Sequence, residues 1–317
     1  MGVEVRRGST SPDMSVVVGR VRLRHAVMTA SGTSGHADEL AAYGDLASLG
    51  AVVVKSLSVM PWAGNPAPRV HPVAQGMLNA VGLQGPGMAA WLRDDLPRLA
   101  TGDVAVVVSI WGRTVEEYRE AATVLGAAVR DSHPIVAVEV NLSCPNMSGH
   151  GIFAHDADLS AAVIGAVVGQ VSLPVWAKLS PNTDRLVAIA GRVRDAGADA
   201  VTLVNTVLGM ALDPDTGRPA LGHGGGGLSG RAIHPVAVRA VHDVRAAYAD
   251  LPIVGVGGVA DGWSAAELIM AGADAVQVGT ATFADPAAPF RVAADLEAWL
   301  TAHGHRSVGA IRGRAHG

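Results

Sequence analysis

The stretch Ile135-Val136-Ala137-Val138-Glu139-Val140-Asn141, followed at once by Leu142-Ser143-Cys144-Pro145-Asn146, decides how this chain is read. An apolar, β-branched run of that length reads as a strand buried on both faces, and the polar residues after it as the loop leaving the strand. The loop holds the sole cysteine of the 317 residues, so the thiol has no disulfide partner in its own chain. Two readings stay open on spacing alone. Free Cys is among the most buried residue types and serves as a small filler; a thiol on the loop after a buried strand is also a chemical candidate.

Outward from this stretch the pattern repeats. Further runs at 26–30, 51–55, 104–110, 175–179, 200–205, 253–257 and 275–279 alternate with segments of helical period. The helical segments fall at 37–49, 115–129, 159–171, 185–196, 235–248, 264–271 and 286–303. Thr114 and Ser264 read as helix N-caps, with Glu117 and Glu267 three residues on completing capping boxes. Eight near-continuous apolar strands separated by helices imply a parallel sheet covered on both faces. In about 290 residues they suit a closed (β/α)₈ TIM barrel of the α/β class better than an open doubly wound sheet, which would need a dinucleotide fingerprint that is missing. Residues 15–23 read as a hairpin under the barrel. No linker marks a second domain, so the expectation is one domain over 1–317, with an N-terminal cap at about 15–25 and a tail at about 304–317. Two βα connections, 56–86 and 206–230, are long enough to be lids or binding loops.

The last residues of the predicted strands form a coherent set. They are Ser31 and Gly32, Lys55 and Ser56, Asn141, Lys178, Asn205 and Thr206, Gly257 and Gly258, and Gly279 and Thr280. Barrel interiors take branched apolar residues, so two Lys and two Asn at one end call for a charged or planar partner. Strand alternation puts Glu139 on the same side as Asn141, and a buried carboxylate there is expected to pair with Lys178 on the next strand. Glycine turns after strands seven and eight present backbone N–H groups to a phosphate. A phosphate pocket beside amide and ammonium groups that edge a ring describes flavin mononucleotide (FMN). No His, Cys and Asp cluster has metal-ligand spacing, so no metal is expected, and His223 reads as solvent-facing.

Bulk properties narrow the class further. Composition is 49% hydrophobic and 16% charged with net charge −4, which argues against a nucleic-acid surface. No apolar run reaches the ~18 residues of a membrane span. The N-terminal residues lack the apolar region of a secretory signal, and a single cysteine fits a reducing cytoplasm.

Over roughly 15–312 the chain resembles the class 1 dihydroorotate dehydrogenases, most closely the 1B branch. The matching stretches include Val54-Lys55-Ser56, Gly64-Asn65-Pro66-Ala67-Pro68-Arg69, Asn79-Ala80-Val81-Gly82-Leu83-Gln84, Asn141-Leu142-Ser143-Cys144-Pro145-Asn146 and Lys178-Leu179-Ser180-Pro181-Asn182. The resemblance implies oxidation of dihydroorotate to orotate in pyrimidine synthesis. Cys144 would take the C5 proton while a hydride leaves C6 for the flavin. It implies FMN contacts from Ser31, Lys55, Ser56, Asn141, Lys178, Val204, Gly230, Gly257, Gly258, Gly279 and Thr280. It implies substrate contacts from Lys55, Asn79, Ala80, Val81, Gly82, Leu83, Asn141, Asn205 and Thr206, and a lid through Gly149 and Gly151. Where the 1B pattern has a flavin-contacting Asn, this chain has Ser109, which keeps a hydroxyl but has shorter reach. A homodimer, and a partner subunit carrying FAD and a 2Fe–2S cluster if NAD⁺ is the acceptor, are likewise implied. The rival readings are a related FMN enzyme acting on another pyrimidine-like or specialised-metabolite ring, and a non-redox accessory barrel.

Overall fold

The computed structural model describes residues 11–129, 134–143 and 153–317. Eight parallel strands form the central sheet, in chain order Val27–Thr29, Val52–Val53, Val106–Ile110, Ile135–Asn141, Val175–Lys178, Ala200–Leu203, Ile253–Val256 and Ala275–Val278. We number these barrel strands one to eight. Neighbours in sequence pair in space from strand two round to strand eight, and strand eight pairs with strand one. Bonds from Thr29 N to Ala51 O at 3.2 Å and from Gly50 N to Val27 O at 2.8 Å close the ring between strands one and two. The sheet is a (β/α)₈ TIM barrel.

Alternation along each strand sorts the side chains into an outer and an inner set. Outward residues such as Val108, Ile110, Val138, Val140, Ala177, Leu203 and Val278 join the helices in one apolar cluster. Inward residues Met28, Val53, Val107, Ala137, Trp176, Ala200, Val254 and Ala275, one per strand, form a second cluster with Val18, Val21 and Leu23. Those last three belong to the antiparallel hairpin Val16–Val18 and Val21–Leu23, which therefore closes the N-terminal end of the barrel as its sequence suggested. With that end plugged by apolar side chains, polar inward residues are confined to the opposite end.

Some elements differ from the sequence reading. The helix expected at 37–49 is two short turns, Glu39–Ala42 and Leu46–Ser48. Gly44 lies between them where a Cβ would come within 2.6 Å of the Phe290 ring, and the Asp45 carboxylate accepts from Ala47 N at 2.9 Å to start the second turn afresh. A helical segment absent from the reading follows the second strand's connection as Met88–Ala90, Trp91–Asp95 and Leu96–Leu99; Pro97 inside it masks the helical pattern because it has no N–H to donate. The two long connections are not irregular loops. They contribute Val70–Val73, Gly76–Asn79, Val207–Gly209 and Gly226–Ser229 to a second, antiparallel four-stranded sheet. No helix of the described residues is long and apolar enough to cross a membrane.

Capping is half as expected. Thr114 caps Val115–Ala128 by accepting from Glu117 N at 3.2 Å, but the Glu117 carboxylate turns to Arg113, whose backbone N–H it accepts at 2.7 Å. Ser264 is not a cap. Asp261 caps Gly262–Ala271 and Ser264 completes a reciprocal box from the third position, while Glu267 is taken by His234. Burial opposes ionisation of Asp261, yet the Ser264 amide, the Arg231 guanidinium and the Ser264 hydroxyl outweigh it and hold the carboxyl at about 2, below its ordinary 3.8. A depressed folded value means that this stabilisation is whole above pH ~4 and fades as pH falls through about 2. Asp261→Ala should cost about 1 kcal/mol at neutral pH, with the gap to the parent closing on acidification; urea melts at a series of pH values read it, and a constant gap would refute the assignment.

Candidate functional site

At the C-terminal end of the barrel lies a cavity of about 620 Å³, inside the range of roughly 300–1,000 Å³ typical of small-molecule sites. It is bordered by the ends of the barrel strands and by the second sheet. Beneath it the barrel lumen carries a charge. Glu139 is fully buried, and its Oε2 accepts from Thr202 Oγ1 at 3.1 Å and Gln277 Nε2 at 2.8 Å. Its Oε1 faces Lys178 Nζ at 3.4 Å. Register puts Asn141, Lys178 and Thr202 side by side on strands four, five and six. The predicted Glu139–Lys178 pair is thus present, and three strands besides Glu139's own converge on one carboxylate.

Above this level a relay of amides and hydroxyls crosses the floor of the cavity. Asn205 Nδ2 donates to Asn141 Oδ1 at 3.1 Å, and Asn141 Nδ2 donates to Ser56 Oγ at 3.3 Å. Ser56 Oγ lies 3.2 Å from Ser31 Oγ and 2.9 Å from Ser109 Oγ. Tyr118, on the buried face of the helix Val115–Ala128 that follows strand three, donates its hydroxyl to the Asn141 carbonyl at 2.6 Å. At roughly 0.5–1.5 kcal/mol per bond, the relay holds each amide in one orientation before any ligand arrives.

The second sheet supplies the opposite wall. Asn79 pairs with Gly227 in register and donates Nδ2 to its carbonyl at 3.3 Å. Residues 79–84 are clamped from outside: Asn65 Nδ2 donates to Ala80 O at 3.1 Å, and Arg69 bonds Asn65 O, Ala63 O and the Gln84 amide. Gly82 has φ +74°, and a Cβ there would lie 2.5 Å from Asn65 Cγ. Leu83 adopts φ +62° despite its side chain, a conformation that costs about 1–2 kcal/mol and that the clamp imposes.

The cavity brings together Ser31, Lys55, Ser56, Asn79, Ala80, Val81, Gly82, Leu83, Asn141, Lys178, Val204, Asn205, Thr206, Gly230, Gly257, Gly258, Gly279 and Thr280. Ser109 is the exception. It is fully buried and does not border the cavity; its hydroxyl stands behind Ser56, too short to reach past it, so its influence passes through that bond. Cys144 and the proposed lid through Gly149 and Gly151 lie outside the described residues, although Ser143 borders the cavity. His223 is exposed at the cavity lip. Among the described residues no group of three or more His, Cys, Asp or Glu is placed to hold a metal ion. Sequence reading gave no role to Asn182, which pins the second sheet to strand five: its Nδ2 donates to Thr206 O and Ser180 Oγ at 2.9 Å each, and its Oδ1 accepts from Leu208 N at 2.9 Å. Its signal was its place in Lys178-Leu179-Ser180-Pro181-Asn182.

Chemically the described residues of the cavity offer two ammonium groups, five asparagine amides and paired glycine turns, a donor set for a flat, anionic heterocycle beside a phosphate-bearing one. Residues 14–300 match the family model described as dihydroorotate dehydrogenase. The chain is 49% identical over 304 residues to the dihydroorotate dehydrogenase B (NAD(+)), catalytic subunit, of Desulforudis audaxviator, covering 95% of this chain and 97% of that one. Proteins of the same name from Geotalea daltonii and Citrifermentans bemidjiense are 47% and 45% identical, covering 94% and 95% of this chain and 96% and 98% of theirs.

Glu139→Leu removes the carboxylate and strands Lys178 as an uncompensated buried cation, so it should destabilise the fold by about 3–5 kcal/mol in urea unfolding. A loss under about 1 kcal/mol would mean that the pair is not the centre of the lumen.

Proposed function

The chain belongs to the dihydroorotate dehydrogenase family, and from that premise we infer that it oxidises dihydroorotate to orotate in pyrimidine biosynthesis as an FMN-dependent oxidoreductase. The observation that carries this reading is the gathering of Lys55, Lys178, Asn79, Asn141, Asn205 and the glycine turns of strands seven and eight around one cavity.

The residues present fit FMN. Gly257, Gly258, Gly279 and Thr280 bring backbone N–H groups and a hydroxyl to one side, as a phosphate requires. Ser31, Lys55, Ser56, Asn141, Lys178, Val204 and Gly230 complete the set that would hold it, with Ser109 steadying Ser56. When bound, FMN supplies the acceptor for the hydride that leaves substrate C6. Lys55 offers the substrate carboxylate a charge-assisted bond. Asn79, Asn141 and Asn205 match ring N–H and C=O groups with their two-faced amides, and residues 80–83 and Thr206 close around them. Buried amides set for one ring reject analogues that leave them unpaired, which favours dihydroorotate over other cyclic substrates.

Cys144 is the base in this reading. Its thiolate accepts the C5 proton as the C5–C6 bond becomes double and the hydride departs from C6. A free thiol has pKa about 8.5 and is a few per cent ionised at neutral pH. Ser143, the residue before Cys144, borders the cavity that also holds the ammonium groups of Lys55 and Lys178, and cations near a thiol favour its anion. We assign residues 1–317 to one FMN-binding domain working in the cytoplasm as a homodimer. The relatives' names specify NAD(+) and a catalytic subunit. A 2Fe–2S cluster normally takes four thiolates and this chain has one cysteine, so a partner carrying FAD and the cluster would deliver electrons to NAD⁺.

The purified protein should be yellow, and anaerobic dihydroorotate should bleach it; a colourless protein, or one bleached equally by dihydrouracil, would overturn the assignment. Cys144→Ala should retain the colour and lose about 10²–10⁴-fold in turnover, and persistent turnover would point to another base. The chain alone should reduce NAD⁺ poorly, whereas brisk reduction would remove the need for a partner.

A further inference from the structure

We propose that His234 is a positioning residue for the cofactor phosphate, acting as an imidazolium held directly behind the Gly257-Gly258 turn. The proposal rests on the reading of that turn as the phosphate holder. His234 opens the helix His234–Ala247. Its Nδ1 lies 2.8 Å from the Gly257 carbonyl oxygen and its Nε2 lies 3.0 Å from Glu267 Oε2. A carbonyl oxygen has no proton to give, and neither has a carboxylate. A neutral imidazole has one N–H and one bare nitrogen, so it satisfies one of these acceptors and leaves two lone pairs facing each other at the other. Both contacts are hydrogen bonds together when both ring nitrogens carry protons. The ring is then a cation.

Its location gives the cation a task. A Cβ added to Gly258 would lie 2.6 Å from His234 Cβ, and one added to Gly257 would lie 2.7 Å from Ala237 Cβ. The turn is therefore seated on the first residues of this helix, with its other side toward the cavity. The order Gly257 O, Nδ1, Nε2, Glu267 Oε2 sets the positive ring between the turn and the carboxylate. Among the described residues that border the cavity, Lys55 follows strand two and Lys178 ends strand five, and neither is on strand seven or eight. Arg231, next to Gly230, is turned to Asp261 Oδ2 at 2.7 Å. A doubly charged phosphate at the turn would thus have a built-in positive charge directly behind the turn in His234, delivered through a carbonyl that the same ring fixes in direction. Charge-assisted hydrogen bonds of this kind are about twice as strong as neutral ones.

The test compares two flavins on the full-length chain freed of flavin: FMN, and riboflavin, which has the same ring without the phosphate, both followed by fluorescence quenching. The parent should prefer FMN. His234→Phe should raise the FMN Kd about tenfold and leave the riboflavin Kd within about twofold, while His234→Lys, which keeps a cation, should hold FMN within about threefold of the parent. An equal rise for both flavins in His234→Phe would reduce His234 to a structural prop and overturn the proposal, as would no change in either. Should His234→Phe fail to fold, Glu267→Gln stands in for it: a selective loss of FMN supports the proposal, and an unchanged FMN-to-riboflavin ratio overturns it. Gly258→Ala separates the proposal from the reading beneath it. If Gly258→Ala lowers the FMN-to-riboflavin ratio while His234→Phe does not, the turn holds the phosphate and His234 has no part in it. If the parent itself does not distinguish the two flavins, the phosphate reading of the turn falls.

Discussion

A parallel strand covered on both faces has no room along its length for an unmatched charge, and in this barrel that constraint is met at one carboxylate. Glu139 is held by Thr202, Gln277 and Lys178 on strands six, eight and five. Below it the lumen is filled by an apolar ring and sealed by the N-terminal hairpin. Above it Asn141, Lys178 and Asn205 open on the cavity. The carboxylate therefore marks the boundary between the part of the barrel that is packed for stability and the part that is left polar for binding. An uncompensated ion at that depth would neutralise itself or draw in water; the pairing lets Lys178 stand charged at the floor of the site.

The relay from Asn205 through Asn141 to Ser56, Ser31 and Ser109 works on the same principle with neutral groups. Each amide has a donor side and an acceptor side, and one bond to a neighbour fixes which side faces the cavity. Preorganised dipoles of this sort need no reorientation when a ligand binds or reacts. The Tyr118 hydroxyl on the Asn141 carbonyl extends the restraint to the backbone at the end of strand four. Ser109 belongs to this restraint and not to the cavity surface, which explains how a short hydroxyl stands where a longer amide was expected: Ser56 fills the space in front of it.

The second sheet completes the enclosure. Its strands come from two connections far apart in sequence; Asn182 ties the second to strand five, Arg69 and Asn65 brace the first from within, and Asn79 paired with Gly227 joins the two. Backbone pairing across the mouth of a barrel gives the substrate wall a rigidity that a free loop lacks. It also brings Asn79 to the cavity from the second sheet while Asn141 and Asn205 reach it from the barrel, so that amides of both sheets border it.

The barrel, its hairpin plug and most of the site were legible in the residues themselves. Eight apolar runs at regular spacing admit few other arrangements, and strand alternation together with βα order puts Lys55, Asn141, Lys178, Asn205 and the glycine pairs at one end. Local chemistry likewise announced Thr114 as a cap. What escaped depends on contacts between distant segments. The antiparallel sheet in 56–86 and 206–230 leaves no strand signal in the sequence because its strands are short, proline- or glycine-bearing and stable only when paired across about 150 residues of chain. The helix expected at 37–49 gave way where Gly44 meets Phe290. Asp261 displaced Ser264 as a cap, and Glu267 left its own helix for His234. A sequence states which side chains have protons and charges to share; which partner each one finds is decided when the barrel closes, because hydrogen bonds and ion pairs fall off within a few ångströms and those distances do not exist until it has.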